Sequence, residues 1–183
     1  MRKEELFLRE CIRSALGDAR PDQVRGSVQA GFDWKYCIAR ARQEWVLPLV
    51  YRAFHGNDLL RELPAQVREE LQTVYYATVV KNARILEVVK EINRASRAAG
   101  IPMIPVKGAF LAEHAYKDIG VRPMVDADIL VHREDVLAFV KMLATFGFFP
   151  VQNVEKALAK PFSYALTCSM SQAKAQSFHI DVH

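Results

Sequence analysis

The sequence predicts an α+β fold, with a helical region over residues 1–99 followed by a mixed sheet with flanking helices over residues 100–183. Three observations carry that reading. From Ala65 to Ala99, apolar residues recur at helical spacing with neither proline nor glycine between them. After Gly100 the pattern changes to short apolar runs alternating with helical segments. Within that second pattern, Asp126-Ala127-Asp128 sits inside an apolar run, as a strand with two carboxylates on one face.

Each element follows from local chemistry. Leu6, Cys11, Ile12 and Leu16 share a helical face over residues 4–16, and Gly17 stops it. Residues 19–31 are polar, carry Pro21, Gly26 and Gly31, and read as a linker with one turn of helix. Asp33 is an N-cap for a helix over 34–43. A second helix over 45–56 is bent or restarted at Pro48 and ends at Gly56-Asn57. Pro64 opens the long helix, which is expected as one helix or two with a kink, and Gly100 closes it. Its Tyr75-Tyr76 pair fits core or interface packing better than base stacking. Beyond it come strand 103–106, helix 108–117, strand 125–131, helix 134–145 and strand 147–151. The alternating run 162–169 and the segment 177–182 add further strands.

Composition narrows the function classes. Half the 183 residues are apolar and a quarter are charged, as in ordinary globular domains. No apolar run approaches the roughly 20 residues that span a bilayer, so no membrane partner is expected. Cys11, Cys37 and Cys168 are odd in number and scattered. They read as reduced thiols of a cytoplasmic protein. The net charge is +4, and the excess lies in residues 1–100, with 17 Lys and Arg against 13 Asp and Glu. That is too little, and too evenly spread along helical patterns, for a nucleic-acid binder.

The chemistry concentrates in residues 104–131 and at the C-terminal end. Asp126 and Asp128 lie about 7 Å apart on one strand face. Two like charges flanked by apolar residues repel and lose hydration. A strand keeps such a pair when a cation sits between them, or when its end is wet. Asp181, inside the later run Phe178-His-Ile-Asp-Val-His, becomes a third carboxylate if its strand pairs beside the first. Such a set suits magnesium, which takes few protein carboxylates and accepts phosphate oxygens. Lys107-Gly108 stands where a strand turns into a helix. The helix amides and the Lys107 ammonium would then face a phosphate; the plain alternative is a tight turn with a solvated lysine. Arg122 would bind phosphate or pair with a carboxylate in the loop entering the strand. His179, Asp181 and His183 share a face by the period of two, and a zinc site there is the less favoured reading. His114 reads as packing or surface.

In this order, these residues resemble the DNA polymerase β-like nucleotidyltransferase superfamily: a glycine turn opening a helix, two acids alternating on a strand, a third acid on a later strand. More closely, they resemble a bacterial family of uncharacterised nucleotidyltransferases. The resemblance rests on Val106-Lys107-Gly108-Ala109, Tyr116, Arg122, Asp126-Ala127-Asp128-Ile129-Leu130-Val131 and Asp181-Val182-His183, and spans residues 34–183. It implies a polymerase β-like core over 100–183. It also implies Asp126, Asp128 and Asp181 as catalytic acids and ligands of one or two magnesium ions. Lys107, Gly108 and Arg122 would bind the phosphates of a nucleoside triphosphate, ATP by expectation. The implied reaction is transfer of a nucleoside monophosphate to a hydroxyl of an unknown acceptor, small molecule or protein partner. Two departures qualify it. Ala109 stands where the superfamily carries Gly or Ser, and the chain ends at His183, inside the third strand. A truncated end is expected to fray, leaving weak nucleotide binding with little turnover, or a strand edge that a partner covers. The alternative is a non-catalytic nucleotidyltransferase-fold module that binds a partner or nucleotide.

Overall fold

A computed structural model describes residues 2–17, 21–28, 30–57, 59–159, 165–170 and 178–183. Its element order is α1 (Lys3–Ala15), α2 (Pro21–Gly26), α3 (Trp34–Gln43), α4 (Leu47–His55), α5 (Ala65–Ala98), β1 (Met103–Val106), α6 (Lys107–His114), β2 (Asp126–Val131), α7 (Val136–Thr145), β3 (Phe148–Pro150), α8 (Val154–Leu158), β4 (Leu166–Met170) and β5 (His179–Val182). The α+β class is as expected. The chain divides into two compact units: residues 1–81 with 116–123, and residues 82–115 with 124–183. The helix α5 contributes to both.

The helical unit buries one apolar cluster. Phe7, Cys11, Cys37, Ala41, Val50, Tyr51, Phe54 and Leu71 lie at its centre. Phe7 meets Phe32 and Trp34 edge-on, with ring centroids 5.1 and 5.5 Å apart. The Asp33 side chain caps α3 by accepting from the Tyr36 amide at 2.9 Å. Pro48 restarts the helix rather than bending it. The break sits at Trp45, whose φ of 59° is left-handed, and α4 carries Pro48 in its first turn. Helix α2 is longer than the single turn expected within 19–31. Helix α5 runs as one continuous helix of 34 residues.

Residues 116–123 are pinned to the helical unit through Asp118. The Tyr75 hydroxyl and the Gly120 amide both donate to Asp118 Oδ1 at 2.9 Å, and Arg52 pairs with Oδ2. Tyr75 packs against Tyr51 with ring centroids 4.5 Å apart and planes tilted by 32°, which is the packing role expected of it. Burial first, then the Asp118 contact, pushes the Tyr75 hydroxyl up to about 12.

The second unit is built on a five-stranded sheet of order β1-β2-β5-β4-β3. Strands β2 and β5 run parallel, and the other pairs are antiparallel. One face is apolar and buried: Ala127, Ile129 and Val131 of β2, Ile180 and Val182 of β5, Leu166 and Cys168 of β4, and Phe148 of β3. The buried Val136, Phe139, Val140 and Leu143 line one side of α7, which packs on β3, while α6 packs on β1 and β2. The opposite face carries the polar residues Asp126, Asp128, His179, Asp181 and Thr167.

Two expectations about the chain's end are corrected. Strand β5 is not an edge, because β4 pairs with it on the side away from β2. The end is also tied down rather than frayed. The His183 amide donates to Ile129 O at 2.9 Å, and Val131 N donates to His183 O at 3.0 Å. The run 162–169 yields β4 from Leu166, and residues 160–164 lie outside the described residues. Helix α8, capped by Asn153 accepting from Lys156 N at 2.8 Å, falls in a stretch that reads as irregular from sequence. Among the described residues, no helix is long and apolar enough to cross a membrane.

Gly120 tests the packing of the 116–123 loop. A Cβ there would lie 2.6 Å from Tyr75 Cζ and 2.7 Å from Val79 Cγ2, and the Asp118 bond restrains the tyrosine ring from yielding. Gly120→Ala should destabilise the helical unit by about 1–3 kcal/mol. Urea unfolding followed by far-UV dichroism should show a lower midpoint, and an unchanged midpoint would mean that the loop is loosely packed.

Candidate functional site

The site is assembled by strand register. In the β2–β5 ladder, Asp126 stands opposite His179 and Asp128 opposite Asp181. Register partners share a face, so Asp181 falls beside Asp128, on the face that Asp126 also occupies. Strand β4 adds Thr167 opposite Asp181 and Ser169 opposite His179. From β1, Val106 stands opposite Asp128. Five of the six expected site residues, Lys107, Gly108, Asp126, Asp128 and Asp181, therefore belong to the sheet unit, and the structure gathers Asp126, Asp128 and Asp181 on one face beside the Lys107-Gly108 turn. The sixth, Arg122, is exposed and belongs to the helical unit.

Asp128 is the centre of the hydrogen bonding. Its Oδ1 accepts from Lys107 Nζ at 2.6 Å and lies 2.8 Å from His183 Nε2. Asp128 is buried, at 6 % exposed. Burial works to raise its pKa, but the hydrogen bonds from Lys107 and His183 outweigh it and hold the carboxyl below the usual aspartate range. In turn the Asp128 hydrogen bond raises the Lys107 ammonium above its ordinary value.

Asp181 is treated differently. Its Oδ1 is buried without a hydrogen-bond partner among the described residues. A buried carboxylate oxygen left unpaired is costly, and a bound cation would relieve it. Oxygen donors from three carboxylates fit magnesium in kind. Among the described residues, however, no three His, Cys, Asp or Glu side chains are gathered closely enough to form a ready-made metal cage. A cation there would have to draw the carboxylates together, in competition with Lys107 and His183 for Asp128. The His179-Asp181-His183 set is likewise no ready zinc site, and His183 is engaged with Asp128.

The turn into α6 carries backbone strain. Lys107 has φ 48°, in the left-handed region, which a side chain adopts at a cost of order 1–3 kcal/mol. Gly108 and Ala109 are buried in the first turn of α6, while Lys107 is exposed. The unusual conformation thus falls on the lysine, not on the glycine beside it. His114 stacks on Phe110 at 4.4 Å and takes a packing role, as expected.

Sequence reasoning missed the two hydrogen bonds to Asp128. The period of two does put His183 on the face of Asp181, but nothing local shows that its ring crosses to the neighbouring strand. Cys168 is no hidden nucleophile: burial, and then the charge of Asp181, pushes its thiol up to about 11.

A family model described as "Uncharacterised nucleotidyltransferase" matches residues 30–183, and the chain belongs to that family. This bears out the resemblance carried by residues 104–131 and Asp181. No curated protein matches the chain.

The charge pairing sets a pH dependence. Because the folded carboxyl of Asp128 titrates below its ordinary value, its stabilisation is present above that ordinary value and is lost as pH falls through the folded one. Lys107→Met removes one of the two donors and leaves the burial. The Asp128 carboxyl pKa should therefore rise, read by carboxyl carbon NMR titration, and acid unfolding should begin at higher pH. An unmoved Asp128 titration would show that Lys107 is not its partner in solution.

Proposed function

We propose that this member of the uncharacterised nucleotidyltransferase family transfers a nucleoside monophosphate from a nucleoside triphosphate, ATP by preference, to a hydroxyl of an acceptor, using magnesium. The observation that carries the proposal is the register that sets Asp181 beside Asp128, on the face of Asp126, with one Asp181 oxygen buried and without a hydrogen-bond partner among the described residues.

In this reading Asp126, Asp128 and Asp181 would hold magnesium. When bound, the ion would neutralise charge building on the phosphate oxygens. The remaining roles belong to the chain. The first amides of α6, at Gly108 and Ala109, point away from the helix with partial positive charge and would receive the departing phosphates. Ala109 offers no hydroxyl, so backbone amides and the Lys107 ammonium do this work. Lys107, which pairs with Asp128, would move to a phosphate oxygen once a cation takes over that carboxylate. The acceptor oxygen bonds to the α-phosphorus while the bond to the bridging oxygen of the β-phosphate breaks. Pyrophosphate leaves with that electron pair, and the hydroxyl proton passes to Asp181. His183 steadies Asp128 through its ring nitrogen.

Magnesium should raise the melting temperature of the parent chain, because it relieves repulsion among neighbouring carboxylates. Asp126→Asn and Asp128→Asn should each weaken magnesium-dependent ATP binding by more than tenfold, read by calorimetry, and should abolish the magnesium-induced shift. Asp181→Asn should stabilise the magnesium-free chain, since its amide no longer brings a charge next to Asp128. Parent-like ATP binding by both strand β2 variants would overturn the metal assignment. A parent chain that neither binds ATP with magnesium nor shifts its melting temperature would favour the non-catalytic module.

Gly108→Val should lower ATP affinity, because a branched side chain would crowd the α6 amides. Unchanged affinity would move the phosphates elsewhere.

A further inference from the structure

The sheet face that carries the carboxylates does not end with them. Two residues further along β2 comes Leu130, with Ile104 of β1 opposite it. The backbone bonds of His183 to Ile129 and Val131 set His183 on the other side of Leu130. Ile104, Leu130 and His183 thus form the next row along the same face, about 7 Å from the row of Asp128 and Asp181. Both apolar residues of that row are open, Ile104 of the edge strand β1 at 57 % and Leu130 at 46 % exposed.

This row floors a hollow of about 330 Å³, walled by Pro102 and His132. That volume lies at the lower end of the range for small-molecule sites. Pro102, Ile104 and Leu130 give the lining its apolar part, joined by the imidazoles of His132 and His183 and by Arg133. One of those imidazoles, His183, lies 2.8 Å from Asp128 Oδ1, so the hollow adjoins the carboxylates directly.

The position along the strands identifies the occupant. Strand β1 runs antiparallel to β2, so its last residue, Val106, stands at Asp128, and α6 begins immediately after it. The Lys107-Gly108 turn therefore lies to one side of the carboxylate row, and the hollow lies to the other. In phosphoryl transfer the attacking and leaving oxygens lie roughly in line, on opposite sides of the phosphorus. With the leaving phosphates at α6, the attacking hydroxyl comes from the side of Leu130.

We propose that the hollow over Ile104, Leu130 and His183 is the acceptor site, and that the acceptor is a small molecule whose hydroxyl is carried on an apolar body. The proposal rests on the transferase reading given above. An acceptor made only of hydroxyls, such as a sugar, would leave Pro102, Ile104 and Leu130 facing polar groups that they cannot satisfy. An apolar body removes that surface from water, at roughly 25 cal/mol per Å², and leaves the hydroxyl at the edge nearest Asp181.

The test uses the full chain with methyl-labelled isoleucine and leucine, titrated with 4-ethylphenol and, separately, with glucose. Magnesium and a non-hydrolysable ATP analogue are present. The Ile104 and Leu130 methyl signals should shift with 4-ethylphenol and stay in place with glucose. Leu130→Asp should weaken 4-ethylphenol binding by at least tenfold while changing magnesium–ATP affinity by less than twofold. Ile104→Ser is a milder second variant expected to act in the same direction. Because both side chains are half exposed, the fold should survive either change. Failure of 4-ethylphenol to move either methyl signal, or a preference for glucose, would overturn the proposal. An equal loss of ATP affinity in Leu130→Asp would also overturn it, since the hollow would then hold the base. If the parent chain bound no ATP while 4-ethylphenol still shifted both methyls, the transferase reading would fail and the hollow would stand as an apolar-ligand site with no acceptor role.

Discussion

The parallel pairing of β2 with β5 is the constraint on which the rest of the sheet unit depends. It sets Asp181 beside Asp128 and, through the same ladder, brings His183 within reach of Asp128. The apolar face enforces the register. Sliding β5 by one residue would turn Ile180 and Val182 outward and drive Asp181 into the core. Each lost aliphatic contact would cost about 1.5–3 kcal/mol, and the buried charge would cost more. The chemistry of one face is therefore held in place by the packing of the other.

Charge at the site is balanced by proximity rather than by solvent. Three carboxylates on one face would repel one another. Lys107 and His183 hydrogen-bond to Asp128 and offset the repulsion most directly there, the Lys107 charge also acting on Asp126 and Asp181, while an oxygen of Asp181 is buried with no hydrogen-bond partner among the described residues. The left-handed backbone at Lys107 belongs to the same arrangement. It turns the chain from β1 into α6 while the ammonium stays on Asp128. Strain of this kind persists only where the surroundings over-determine it. Here the strand pairing of Val106 on one side and the buried Gly108 and Ala109 on the other do so.

The helical unit follows a simpler logic. Its aromatic cluster around Phe7 and its Tyr51–Tyr75 contact are packing, and its polar centre is Asp118. That carboxylate is fully engaged by Arg52, Tyr75 and the Gly120 amide. It contrasts with Asp181, which keeps a buried oxygen with no hydrogen-bond partner among the described residues.

Local chemistry was enough to read the types of most elements, though not helix α8, and with them the Asp33 cap, the long helix closed by Gly100, and the two aspartates on one face of β2. Periodicity and capping act over a few residues, so they are written in the chain itself. The strand order was not legible, because it depends on which edges pair across tens of residues. Reading β5 as an exposed edge failed for that reason: β4, its second neighbour, is recognisable as a strand but not as a partner. The bond from His183 to Asp128 and the strain at Lys107 were hidden in the same way. Residue spacing tells which face a side chain occupies, while only the pairing of strands decides what stands across from it.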